Sequence, residues 1–133
     1  MIVADTNLLI YLYVPSTRTS QAETVLERDP LWIAPLLWRS EFRNILTGLI
    51  RQGTLSLTTA LQIARQAEAW MAGREYGVVT DHVLQLASQS GCSAYDCEFV
   101  ALAQDAALRL VTADRQILKA FPSIAISIDQ FIQ

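Results

Sequence analysis

Four acidic residues, Asp5, Glu41, Asp96 and Asp114, occupy positions where a carboxylate is costly unless it meets a partner or a cation. Each stands at or near the start of a predicted helix, close to the end of a short apolar run, or on a helix face that should turn inward. Brought together, they would form an anionic pocket in a chain with few cations to neutralise it. A ligand set of oxygens, without Cys or His, suits a hard divalent ion such as Mg²⁺ or Mn²⁺. Such an ion turns water into a nucleophile for a phosphodiester and stabilises the leaving oxygen.

Each carboxylate also has a plain structural reading. Asp5 could cap the first helix, and Asp114 could stabilise a helix start through the dipole, with Thr112 or Ala113 as the cap. Asp96 could complete a capping box with Ser93, although Glu or Gln is the usual partner there. At about 100° per residue, however, Asp96 shares its face with Phe99, Val100, Ala103 and Ala107, whereas Glu98 and Asp105 fall on the opposite, outer face. Glu41 sits at the edge of an apolar stripe of Trp38, Phe42, Ile45 and Leu49. Arg39 and Arg43 lie nearly opposite it and are not intrahelical partners.

The elements that must position these groups alternate. Ile2 to Ala4 reads as a strand, followed by a helix to about Tyr13. Gln21 to Arg28 is a second helix and Leu31 to Ala34 a second strand. Pro35 is placed at a helix start, where its missing donor is harmless, and that helix runs to Gln52 before Gly53. Further helices are expected over Thr58 to Met71, Thr80 to Ser90 with Thr80-Asp81 as cap, and Ser93 to about Leu108. A strand over Arg109 to Thr112, a helix over Asp114 to Phe121 and a last strand over Ile124 to Ile128 complete the pattern. Val78-Val79 is too short to assign. Strands separated by helices imply a parallel sheet covered on both faces, with ligands bound at the carboxyl ends of the strands. Asp5 and Asp114 directly follow strands and would project at that edge.

The chain has 133 residues, 52% of them hydrophobic and 17% charged, which fits one globular domain over 1–133. A net charge of −3 argues against broad non-specific nucleic-acid binding but leaves room for a few local cations that grip phosphate. Nine Arg and one Lys supply the positive charge. Two cysteines, Cys92 and Cys97, are too few for a disulfide scaffold and read as buried thiols, and the single histidine, His82, as an ordinary helix residue. The apolar start carries Asp5 and lacks a basic leader, and no apolar run approaches a membrane span, so a cytoplasmic protein is expected.

Other carboxylate chemistries fit less well. A haloacid-dehalogenase-type phosphatase needs two aspartates flanking one residue after the first strand, and Asn7 stands in the second place. A receiver needs a mid-chain phosphoacceptor, and a nucleotide-binding fold needs a Gly-rich loop. Neither is present.

The segments VADTNLLIYL (3–12), RSEFRNIL (39–46), SAYDCEFVALA (93–103) and LVTADRQILKAF (110–121), in this order and spacing, resemble the PIN domain and within it the VapC-like ribonuclease toxins. The resemblance implies an α/β/α sandwich with a short central parallel sheet and a metal-dependent endoribonuclease. Carried over, Asp5, Glu41, Asp96 and Asp114 are the acidic site, with Asp5, Asp96 and Asp114 as metal ligands. Thr6 and Thr112 are its supporting hydroxyls. Arg115 and Lys119 are candidates for contact with RNA phosphate. Many relatives carry a further acidic residue after the last Asp, where this chain has Arg115, Gln116 and Ile117. The resemblance also implies a small antitoxin as partner and a homodimer. A rival reading is a catalytically weak PIN-fold binding module acting through protein contacts.

Overall fold

The computed structural model describes residues 1–133. Five short parallel strands form the central sheet: β1 (Ile2–Ala4), β2 (Trp32–Pro35), β3 (Glu75–Tyr76), β4 (Leu110–Thr112) and β5 (Ala125–Ser127). Their order is β3-β2-β1-β4-β5. The chain lays β2 and then β3 to one side of β1, then returns to place β4 and β5 on the other. The direction of winding therefore reverses at β1, and a crevice opens at the carboxyl ends of β1 and β4.

Eight helices flank the sheet: α1 (Thr6–Tyr13), α2 (Thr19–Arg28), α3 (Trp38–Arg51), α4 (Leu57–Met71), α5 (Thr80–Ser90), α6 (Ala94–Ala106), α7 (Arg115–Ala120) and α8 (Ile128–Ile132). Helix α6 crosses β1, β2 and β4, with α5 packed on it. Helix α1 gathers α2, α3 and α4 around itself, and α8 closes on α2. This is the α/β sandwich with a parallel sheet that the alternating pattern implies. The central strands β1, β2 and β4 are buried along their whole length, as strands covered on both faces must be. No helix is long and apolar enough to cross a membrane.

Aromatic contacts set the helix positions. Trp32 of β2 meets Trp70 of α4 edge-on, with ring centroids 5.4 Å apart. Trp38 and Phe42, one turn apart on α3, make a second edge-on pair at 5.3 Å.

Several boundaries differ from the sequence expectation. Pro35 ends β2, paired with Tyr76, and does not open a helix; α3 starts at Trp38 after a turn. The bonds to the β3 side are donated by Ala34 and Leu36, to the Arg74 and Tyr76 carbonyls, so the pairing with β3 does not need an N–H from Pro35. Strand β3 is Glu75–Tyr76, two residues with no alternation to reveal them, and Val78-Val79 lies in the connection after it. Thr80 is the first helical residue of α5 rather than its cap, and the cap position, Val79, makes no side-chain capping bond. The last strand stops at Ser127, whose side chain accepts the Gln130 N–H and starts α8.

Candidate active site

The four carboxylates reach the crevice from four different elements. Asp5 follows β1, Glu41 lies in the first turn of α3, Asp96 in the first turn of α6, and Asp114 precedes α7. They line one open cavity of about 220 Å³, together with Thr6, Asn7, Asn44 and Ile45. No basic residue lies in that lining.

Asp5 is the most constrained. Its Oδ1 accepts the Thr6 N–H at 2.8 Å, and its Oδ2 accepts the Thr112 hydroxyl at 2.6 Å and the Asn7 amide at 3.3 Å. Burial pushes its pKa up from 3.8 to about 6; the bonds from Thr112 and Thr6 oppose that, and the charges of Asp96 and Asp114 add to it. Thr6 serves a second carboxylate, since its hydroxyl donates to Glu41 Oε1 at 2.7 Å. Glu41 is half-buried, and burial raises its pKa, with Asp5, Asp96 and Glu98 adding like charge. Asp96 is also raised, first by burial and then by Asp114.

Capping and a place in the crevice coexist in these residues. Asp114 is itself the N-cap of α7, in place of Thr112 or Ala113: its Oδ1 accepts the Gln116 and Ile117 N–H groups at 2.8 and 3.0 Å. Ser93 Oγ accepts the Asp96 N–H at 3.0 Å, one half of a capping box. A cap uses one oxygen of a carboxylate, so the same residue can start a helix and present its other oxygen to the crevice.

The four acidic residues offer only oxygens, the donor chemistry that a hard divalent cation takes. No three acidic groups are clustered tightly enough to enclose an ion between them. The site is therefore an open acidic bowl rather than a cage. Such a bowl fits Mg²⁺, which retains several waters and takes one or two carboxylates.

Two expectations about neighbouring residues change. Glu98 is not on an outer face. It is half-buried in a cleft with Val78, Thr80, Val83 and Leu84, burial raises its pKa, and its charge bears on Glu41. Helical phase gives the direction of a side chain but not what packs over it, and α5 covers this flank of α6. Ala107, placed on the inner face of the same helix, is exposed and left-handed at φ 55° as the cap of α6. Asp105 is exposed as expected, with His82 Nδ1 at 3.1 Å. Arg115 and Lys119 are exposed on α7, and neither lines the cavity.

Asn7 and Asn44 line the cavity although neither is among the site residues the sequence points to. Asn7 joins the two strand ends, its Oδ1 accepting the Ala113 N–H at 3.3 Å. Asn44 is three residues after Glu41, a spacing that puts both on one helix face and would have pointed to it.

Residues 2–122 match the PIN domain family. The ribonuclease VapC3 of Pyrobaculum aerophilum is 30% identical over 128 residues, covering 92% of this chain and 96% of that protein. Among solved structures, PAE2754 from Pyrobaculum aerophilum superposes with a TM-score of 0.79 at 20% identity, over 98% of this chain and 92% of that one. A toxin-antitoxin complex from Klebsiella pneumoniae gives a TM-score of 0.68 at 19% identity, over 96% of this chain and 98% of that one.

Proposed function

This chain belongs to the PIN domain family, and we propose that it is a metal-dependent endoribonuclease, the toxin of a toxin–antitoxin pair. One observation carries the reading: Asp5, Glu41, Asp96 and Asp114 converge on a cavity whose lining contains no basic residue. A structural ion-pair network would bring its own cations, as Arg39 does to Glu68 and Glu75 elsewhere in the molecule. An acidic bowl without them is suited to an exogenous cation and to the phosphate that the cation attracts. The 30% identity to a protein named a ribonuclease supports the choice of RNA.

In this reading Asp5, Asp96 and Asp114 would hold Mg²⁺ or Mn²⁺, one or two of them directly and the rest through waters the ion retains. When bound, the ion supplies Lewis-acid activation of a water and charge stabilisation at the leaving oxygen. The protein's own contribution is order. Asp5 is fixed by three donors, so its position costs no reorganisation during the reaction. Glu41 is held by the Thr6 hydroxyl through Oε1, and its other oxygen would orient the attacking water. Arg115 and Lys119, exposed on α7 beside Asp114, contact the RNA backbone away from the acidic centre.

Purified protein incubated with a mixed RNA pool in Mg²⁺, in Mn²⁺ and in EDTA, followed by mapping of the product ends, tests this. Cleavage in either metal, absent in EDTA and in Asp96→Asn, is the expected result. An RNA pool unchanged in both metals would overturn it.

The antitoxin and a second toxin subunit belong to the same proposal. Leu57 and Leu61 of α4 are 61% and 43% exposed beside an apolar cleft formed with Leu46 and Ile50 of α3, a surface suited to a partner. Co-expression with an adjacent small gene should give a stable complex. A monomer by light scattering that ignores that gene product counts against the partner assignment.

A further inference from the structure

We infer that Asn44 is a substrate-binding residue of this site, its side-chain amide donating a hydrogen bond to the phosphate–ribose backbone of RNA beside the scissile bond. The inference deepens the ribonuclease reading and rests on it.

The argument starts from a shortage. A polyanion entering this cavity meets four carboxylates and no basic side chain. Hydrogen-bond donors in the lining are few, and two of the three side chains that carry them are already engaged. Thr6 gives its hydroxyl to Glu41 at 2.7 Å. Asn7 gives its amide N–H to Asp5 at 3.3 Å and uses its carbonyl to accept Ala113 N–H at 3.3 Å. Asn44 is exposed, lines the cavity and takes part in none of these bonds. Its two N–H groups, beside the second N–H of Asn7, are the side-chain donors of the lining that remain available to a ligand, and Asn44 is the one whose side chain is wholly unengaged.

The position of Asn44 in its helix supports a role outside the fold. It sits in the middle of α3, where asparagine is a poor helix former. Polar side chains in mid-helix commonly return a bond to the backbone. Thr47 on the same helix does so, donating to the Arg43 carbonyl at 2.8 Å, and Thr24 of α2 does so to Ser20 at 2.9 Å. Asn44 makes no such bond. Its one structural distinction is the shared face with Glu41, which aims its amide at the space where a cation-bound phosphodiester would lie.

Steady-state cleavage of a fluorogenic RNA oligonucleotide in Mn²⁺, with Mn²⁺ affinity measured separately by calorimetry, separates substrate contact from cation binding. Asn44→Ala should raise KM about tenfold, the loss of one hydrogen bond to a charged group. It should leave kcat within a few-fold and Mn²⁺ affinity unchanged. Asn44→Asp, which replaces the donor with a like charge, should lose more, and Asn44→Gln should recover part of the loss. Alanine raises helix propensity at an exposed site, so folding is not at risk. If the parent protein cleaves RNA and both Asn44→Ala and Asn44→Asp match it in KM, the assignment of Asn44 is overturned and the ribonuclease reading stands. If Mn²⁺ affinity falls as KM rises, Asn44 serves the cation and the inference is again overturned. A parent protein that cleaves no RNA in either metal overturns the ribonuclease reading, and this inference with it.

Discussion

The Thr112 hydroxyl donates to Asp5 Oδ2 at 2.6 Å, although the two residues are 107 positions apart in the chain. The contact follows from strand register. Ala4 stands opposite Val111 on neighbouring parallel strands, so the next residue of each comes side by side where the strands end. Thr112 Oγ1 also accepts the Asp114 N–H at 2.9 Å. One fully buried hydroxyl thus fixes both Asp5 and the backbone that carries Asp114.

Thr112→Val keeps the shape and removes that hydroxyl. It should destabilise the protein by about 1–3 kcal/mol, because a buried acceptor and a backbone donor lose their partner. The Thr112 bond is the largest influence holding the Asp5 pKa down, so its loss raises that pKa further. In the proposed reading Asp5 must be ionised to bind a cation, so the acidic limb of the pH–rate profile should move to higher pH. An unmoved limb with a full loss of stability would assign Thr112 to the fold alone.

Asp5 makes the stability of the metal-free protein pH-dependent in an unusual direction. Its folded pKa, about 6, lies above its ordinary 3.8. The folded state therefore binds its proton more tightly, and this contribution is fully present below 3.8 and lost as pH rises through 6. The shift corresponds to about 3 kcal/mol. Asp5→Asn relieves that cost but turns an N–H towards one of three converging donors, a penalty of about 1–3 kcal/mol. The two effects nearly offset at neutral pH. In EDTA the melting temperatures should then be similar at pH 7, and the parent should gain on Asp5→Asn as pH falls towards 4. A constant difference across that range would contradict the burial of a charged Asp5.

Divalent cations should reverse the crowding of like charge. Mn²⁺ at a hundred times its dissociation constant should stabilise the parent by about 2.7 kcal/mol. Asp5→Asn and Asp114→Asn should lose most of that gain along with cleavage. Thermal melts with and without Mn²⁺ check both, and an equal gain in Asp114→Asn would remove Asp114 from the ion's ligands.

Glu98 and Asp105 share a helix but should behave differently. Asp105→Asn, at an exposed site outside the cavity, should leave cleavage within a few-fold of the parent. Glu98→Gln removes a half-buried charge that acts on Glu41, so it should raise the melting temperature at pH 7 and shift the pH–rate profile to lower pH. Matching melts and profiles for the two variants would restore Glu98 to the outer face.

Glu75 anchors the far edge of the sheet. Its Oε1 accepts Trp38 Nε1–H at 2.7 Å and Arg39 Nε–H at 2.6 Å, and its Oε2 accepts a second Arg39 N–H at 2.9 Å. Glu75→Ala strands the indole N–H of the fully buried Trp38 and should cost about 2–3 kcal/mol. Glu75→Gln keeps an acceptor for Trp38 and should cost less. The Arg39 bond holds the Glu75 pKa below its ordinary value, so the parent's advantage over Glu75→Gln is present at neutral pH and lost as pH falls through that lowered pKa. Urea midpoints of the two variants at pH 7 and pH 3 check the order and the pH dependence.

The sequence by itself determined the alternation of strands and helices, and with it the parallel sheet. Short apolar runs and helix starts are local properties, and Asp5, Asp96 and Asp114 were legible because each stands at such a boundary. Glu41 was visible as a charge at the rim of an apolar stripe. Tertiary structure decided what those residues meet. That Thr6 holds Glu41, that Thr112 holds Asp5, and that Asn7 ties Asp5 to Ala113 depends on which strand end lies beside which, and periodicity carries no register. Glu98 shows the same limit from the other side. Its helical phase was readable, but whether water or α5 covered that phase was set by packing between helices, a long-range property that no window of sequence contains.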